Sequence, residues 1–188
     1  NGAAVGFALT AILYIFIRFI CVGAIARAHS RINKNENRNA VYDFIAKNPG
    51  LTMYEVSRGL KMNLGTVRYH AFILGMNHRV VPYKDDGKYV RYFTNSNSYS
   101  SEDQLIVSLM RREAMGKVLG YIMTCTASSN SEMAHGLGIH ESIVSRSVKE
   151  LAEKGVIVKE TSGTRSVYTI VDAHRERVAS AMRRIYGE

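Results

Sequence analysis

The spacing of apolar positions divides the chain into two kinds of sequence. Residues 2–26, GAAVGFALTAILYIFIRFICVGAIA, are apolar almost without interruption, with Arg18 as their one Lys, Arg, Asp or Glu. As a helix rising about 1.5 Å per residue, a run of this length exceeds the roughly 30 Å of a hydrocarbon core, and Arg18 sits near enough to the carboxyl end to snorkel. Arg27, Arg31, Lys34 and Arg38 follow, and basic residues on that flank are expected on the cytoplasmic side. The expectation is therefore a transmembrane helix over 1–26 and a basic juxtamembrane linker over 27–37. It implies membrane lipid as a partner of residues 2–26, and a single-pass protein of the cell membrane with its remaining domains cytoplasmic. A cleaved signal peptide and a buried core helix are the rival readings, although no basic residue precedes the run as an exported leader requires. Gly2 and Gly6 form a GxxxG that would let two such helices approach closely.

Beyond residue 37 the period becomes that of amphipathic helices. Val41, Phe44 and Ile45 share one face of a predicted helix over 38–47, which Pro49 ends. Thr52 and Glu55 form a capping box for a second helix, and Gly59 is expected to close it. Asn63 caps a third, whose Leu64, Val67, Ala71 and Leu74 make a buried stripe. In VVPYKDDGKYVRYF, two strand-like runs flank Asp86-Gly87, a strong hairpin signal.

The same order returns 77 residues later. YEVSRGLKMNLGTVRYHAFIL (54–74) lies on SEMAHGLGIHESIVSRSVKEL (131–151), matching Glu55 to Glu132, Gly59 to Gly136, Leu60 to Leu137, Met62 to Ile139, Val67 to Val144 and Leu74 to Leu151. Upstream, Val41, Phe44 and Ile45 match Val118, Tyr121 and Ile122. The second copy is predicted as a helix over 114–125, then a helix capped by Asn130 or Ser131. A third helix opens at His140 or Glu141, and a hairpin turns around Ser162-Gly163. NSNSYSS (95–101) reads as a linker. Val171, Val178, Met182 and Ile185 stripe a last helix suited to packing or dimerisation.

At this point a family resemblance appears. LTMYEVSRGLKMNLGTVRYHAFIL…RVVPYKDDGKYVRYF resembles the winged helix-turn-helix domain of MarR- and ArsR-type transcription regulators. SEMAHGLGIHESIVSRSVKELAEKGVIVKE…RSVYTI resembles a second, closer to the MarR pattern. Tandem winged helices behind a membrane segment are similar to predicted archaeal regulators. The expected fold class is mostly α with small β-hairpin wings (α+β). Winged domains would span 38–94 and 102–171, with a carboxyl-terminal packing or dimerisation helix over 172–188. The resemblance implies that the third helix of each copy enters the major groove while the wing follows the backbone. Two positions depart from the pattern. Phe72 stands where these families are usually polar, and Ile143 stands where the second copy should match Thr66.

Charge refines this picture. Lys and Arg number 25 against 16 Asp and Glu, a net +9, which points to a polyanionic partner. Residues 36–94 carry nine bases and five acids, whereas 95–188 carry twelve and eleven, so the excess favours the first copy. On that copy Asn63, Gly65, Thr66, Arg68 and Tyr69 are candidate contacts on the third helix. Arg68 is suited to guanine O6 and N7, Thr66 to a thymine methyl and Tyr69 to a phosphate. Lys84, Lys88 and Arg91 in the wing suit phosphates. The second copy offers Ser142, Ser145, Arg146 and Lys149, with Lys159 and Arg165 in its wing. Glu141, Glu150, Glu153 and Glu160 surround them, so this copy is divided between DNA contact and assembly. His70, beside the buried stripe, reads as structural.

The inventory favours a binding protein over an enzyme: it lacks G-x-x-x-x-G-K-[ST], G-x-G-x-x-G, H-E-x-x-H and paired cysteines. No cofactor, metal site or small-molecule effector is expected. The expected partner is double-stranded DNA, bound by a homodimer. The rival is a membrane-attached interaction module whose winged helices bind proteins. The chain opens on Asn1 rather than Met, as expected of a piece of something longer.

Overall fold

A computed structural model describes residues 14–18, 20, 36–84, 89–125, 129–162 and 165–187. The first copy comprises α1 (36–47), α2 (Met53–Leu60), α3 (Leu64–Met76), β1 (Val80–Lys84) and β2 (Val90–Thr94). After it come α4 (Ser101–Met110), α5 (Glu113–Thr124), α6 (Asn130–Leu137), α7 (Glu141–Glu153), β3 (Ile157–Ser162), β4 (Arg165–Ile170) and α8 (Asp172–Tyr186). The chain is thus mostly helical with two small antiparallel hairpins. Their registers run from Val80↔Thr94 to Lys84↔Val90 and from Ile157↔Ile170 to Ser162↔Arg165.

The 77-residue repeat is carried by helix ends as well as by apolar positions. The Thr52 hydroxyl accepts from Glu55 N–H while the Glu55 carboxylate accepts from Thr52 N–H at 2.7 Å; Ser129 and Glu132 repeat this box. The helices these boxes open both end on a left-handed residue, Lys61 (φ 52°) and Gly138 (φ 62°). Asn63 Oδ1 then caps α3 by accepting from Gly65 N–H at 2.8 Å, and His140 Nδ1 caps α7 by accepting from Ser142 N–H at 3.2 Å. Two expectations are corrected. The α6 cap is Ser129, not Asn130 or Ser131, and α2 closes on Lys61, not Gly59. Gly59 instead permits a close approach: a Cβ there would run into the Phe44 ring, and one at Gly136 would meet Tyr121. Phe44 and Tyr121 are themselves a repeat pair.

Two cores form. Val41, Ile45, Val56, Val67, Leu74 and Val80 fill the first, and the larger second gathers α4–α8 with β3 and β4 around Leu109, Leu119, Met133 and Leu151. Phe93 of β2 is fully buried in the second, so the first hairpin plugs into its neighbour. Beside it Arg111 Nε donates to the Pro49 carbonyl at 3.1 Å. The helix α4 is not among the predicted elements; it begins on the last residue of the expected 95–101 linker, with its Ser100–Asp103 capping box starting inside that linker. The α8 stripe turns inward: Val178 and Ala181 are buried, and Met182 and Ile185 lie against the second core. Arg177 of α8 bridges to Glu102 (2.9 Å) and Asp103 (3.2 Å), and the Tyr186 hydroxyl donates to the Met110 carbonyl at 3.1 Å.

The single-pass placement in the cell membrane is corrected. Among the described residues no helix is long and apolar enough to cross a membrane. Of the 2–26 run only 14–18 and 20 are described, and they are helical. The remainder of that run, with Gly2 and Gly6, lies outside the described residues.

Candidate nucleic-acid interface

The third helix of each copy owes its exposed face to the stripe it buries. In α3, Val67, His70, Ala71 and Leu74 turn inward, which leaves Gly65, Arg68, Tyr69, Phe72 and Met76 exposed and Thr66 half-buried. Asn63 is exposed at the helix start, with its side chain engaged as the cap. His70 is only 2% exposed and edge-on to the Tyr69 ring, a packed position consistent with its structural reading. In α7, Val144, Ser147, Val148 and Leu151 are buried and Ser142, Ile143, Ser145, Arg146 and Lys149 are exposed. The Ser142 hydroxyl lies 2.8 Å from His140 Nδ1. The two departures noted in sequence, Phe72 and Ile143, therefore both face outward, Phe72 at 64% exposure.

The wings divide differently from the sequence pattern. Lys84 on β1 and Lys159 on β3 are exposed, while Lys88 lies outside the described residues and Arg165 opens β4. Arg91 is the correction. It is 7% exposed, its Nη1 donates to the Gly50 carbonyl at 2.8 Å, and it lies 3.8 Å from Glu55. A side chain so enclosed braces the fold and is not available to a phosphate.

Electrostatics also shift between the copies. Glu150, one of the acids expected to repel phosphate from α7, is held by both terminal nitrogens of Arg112, with Nη2 to Oε2 at 2.9 Å. Lys149 lies 3.9 Å from Glu153, an exposed pair worth little in water. The second copy thus presents Arg146, Lys149 and Lys159 against fewer opposing charges than its sequence suggests. The first loses Arg91 and keeps Arg68 and Lys84.

Next to the α3 face a groove of about 1540 Å³ opens between α3, the β1–β2 hairpin and the α4–α5 corner. Tyr54, Phe72, Met76 and Tyr89 line it and are exposed, and Arg58, Arg68 and Arg111 border it. Burial lowers the Arg111 pKa, with Glu55 opposing that shift. Sequence reasoning missed Met76 and Arg111. The i, i+4, i+8 spacing of Arg68, Phe72 and Met76 opposite the buried stripe was the available signal for the first. Nothing local marks the second, whose partner Pro49 is 62 residues away.

No family model matches the chain. An uncharacterised HTH-type transcriptional regulator of Methanocaldococcus jannaschii is 23% identical over 136 residues, covering 72% of this chain. The match spans about a third, 34%, of that relative's length. Among solved structures, the transcription regulator MepR of the Staphylococcus aureus multidrug efflux pump MepA matches 48% of this chain and 61% of its own. Its TM-score is 0.35 at 15% identity. Lactococcus lactis ZitR, solved in complex with DNA, matches 64% of this chain and 74% of its own, with TM-score 0.28 at 14% identity.

Proposed function

We propose that this chain is a DNA-binding transcription regulator built from two winged helix-turn-helix domains, 38–94 and 102–171. The observation that carries the reading is the repeated cap–helix–cap–helix–hairpin unit, which twice leaves the outer face of a third helix uncovered. The similarity to an HTH-type regulator supports it. In the first domain Asn63, Gly65, Thr66, Arg68 and Tyr69 meet the major groove and Lys84 and Lys88 the phosphates. In the second, Ser142, Ser145, Arg146 and Lys149 take the groove, with Lys159 and Arg165 on the backbone. A homodimer belongs to this reading, because two half-sites about one helical turn apart are read by two-fold symmetric proteins.

The test is binding of the whole chain to random and selected duplexes over a salt series. Affinity is expected to fall steeply with salt, and the absence of binding at low salt sinks the proposal. Arg68→Ala is expected to cost about 1–3 kcal/mol on the preferred duplex and to flatten discrimination at one base pair. Lys84→Ala is expected to weaken all duplexes alike and lower the salt slope by about one unit. One observation favours a second reading, a protein-interaction module: the exposed apolar residues around the groove exceed what a phosphate-facing surface needs. Salt-insensitive capture of a protein partner, with no duplex binding, would decide for it.

A further inference from the structure

The repeat supplies its own control for the outward faces of the two helix pairs. In the first copy Tyr54 and Arg58 of α2 and Arg68, Tyr69, Phe72 and Met76 of α3 are exposed. Their counterparts 77 residues on are Ser131, His135, Ser145, Arg146, Lys149 and Glu153, which are exposed too and are all polar. The second copy packs the same two helices with no Tyr or Phe at these positions, so the fold does not require the rings of the first. Clustered apolar side chains left in water mark a binding surface.

The rings stand among guanidinium groups. Arg58 lies over the Tyr54 ring, 6.0 Å from its centroid, and Tyr54, Arg58, Arg68, Phe72 and Met76 border one groove. Across residues 36–94, hairpin tip included, nine bases face five acids, so the first copy favours a polyanion. In a duplex the base pairs cover one another's faces and offer only their edges, which suit polar side chains such as those of the second copy. Flat rings interleaved with arginines suit a polyanion whose base faces are open.

We propose that this face binds single-stranded DNA, with unpaired bases stacked on Tyr54, Tyr69 and Phe72 and the sugar-phosphate chain along Arg58 and Arg68. Deoxyribose suits the strip, because Phe72 and Met76 offer no partner for a ribose 2′-hydroxyl. The inference rests on the reading that the first copy meets DNA, and adds unpaired strand to what that copy holds.

The probe is a thymidine oligonucleotide of about 16 nucleotides, titrated into the full chain. An abasic strand of equal length, a duplex, and matched dU and rU strands serve as comparisons. The chain has 11 Tyr and no Trp, so its fluorescence reports tyrosine directly. Saturable, partial quenching is expected with the dT strand, and the abasic strand is expected to bind about ten-fold more weakly. Tyr54→Ser, which installs the second copy's residue, and Phe72→Ala are each expected to weaken the dT strand about five-fold or more. Both side chains are more than half exposed, at 60% and 64%, so the urea midpoint is expected to stay where it is. Duplex affinity is expected to change less than about two-fold in either variant, because stacking needs unpaired bases. Duplex binding without strand binding overturns the inference and leaves the duplex reading standing; strand binding alone does the reverse. Equal affinity for the dT and abasic strands also overturns it, as does tighter binding of rU than dU, which would make this an RNA face. So does self-association of the chain that Phe72→Ala abolishes, which would give the face to a second copy.

Discussion

At the scale of single residues, positions one repeat apart do the same job with different side chains. Lys61 and Gly138 both take the left-handed conformation that ends a helix, which costs an L-residue about 1–2 kcal/mol and glycine almost nothing. Lys61→Gly is accordingly expected to raise the urea midpoint, by an amount equivalent to about 0.5–1 kcal/mol. Gly59 obeys the opposite rule, since a methyl there meets the Phe44 ring. Gly59→Ala is expected to cost about 1–3 kcal/mol in the same measurement, and Phe44→Leu in the same chain to recover part of it. Equal melting of Gly59→Ala and the unaltered protein would remove the close-approach role. The caps Thr52 and Asn63 were legible because a cap and its helix are neighbours in sequence, whereas the local signal leaves the start of α7 between His140 and Glu141. Arg91 was not legible, because an arginine between strand-forming residues looks solvated until Gly50 and Glu55 are folded beneath it.

At the scale of elements, helices with a clear apolar stripe were legible and α4 was not. Its SEDQ start and short apolar run lack the period of a surface helix, since Ile106 through Met110 are all buried between two halves of the molecule. Its closest dependent is α8. The Tyr186 hydroxyl that donates to the Met110 carbonyl has its pKa raised, chiefly by burial, with Arg111 and Lys117 opposing. A group that holds its proton more tightly when folded stabilises fully below its unfolded pKa, here about 10, and loses that contribution as pH rises through the folded value. The urea midpoint is therefore expected to fall above about pH 10, and to fall less in Tyr186→Phe. At neutral pH that variant is expected to be weaker by about 0.5–1.5 kcal/mol for the lost hydrogen bond. Identical alkaline profiles would show that the hydroxyl stays hydrated.

For the whole molecule, the duplicated frame was readable because each copy repeats local signals at one offset. The join between the copies was not, because it rests on contacts far apart in the chain. Phe93 belongs to the first copy by sequence and to the second core by packing, with Arg111 on Pro49 beside it. One unfolding transition is therefore expected, with the Met53 and Met133 methyls reporting coincident midpoints. Phe93→Ala is expected to cost about 3–5 kcal/mol and to separate those midpoints. Separate melting in the unaltered chain would make the join incidental. The same plug bears on what a protease can accomplish. Ser96, Asn97 and Ser98 are exposed on the strip that covalently joins the copies, so cleavage concentrates there. A chain severed in that strip would keep Phe93 seated in the neighbouring core, and its two pieces would travel as one particle until denaturant parted them. The peptide link between the halves is then a tether for assembly, and the aromatic side chain is the bond that lasts.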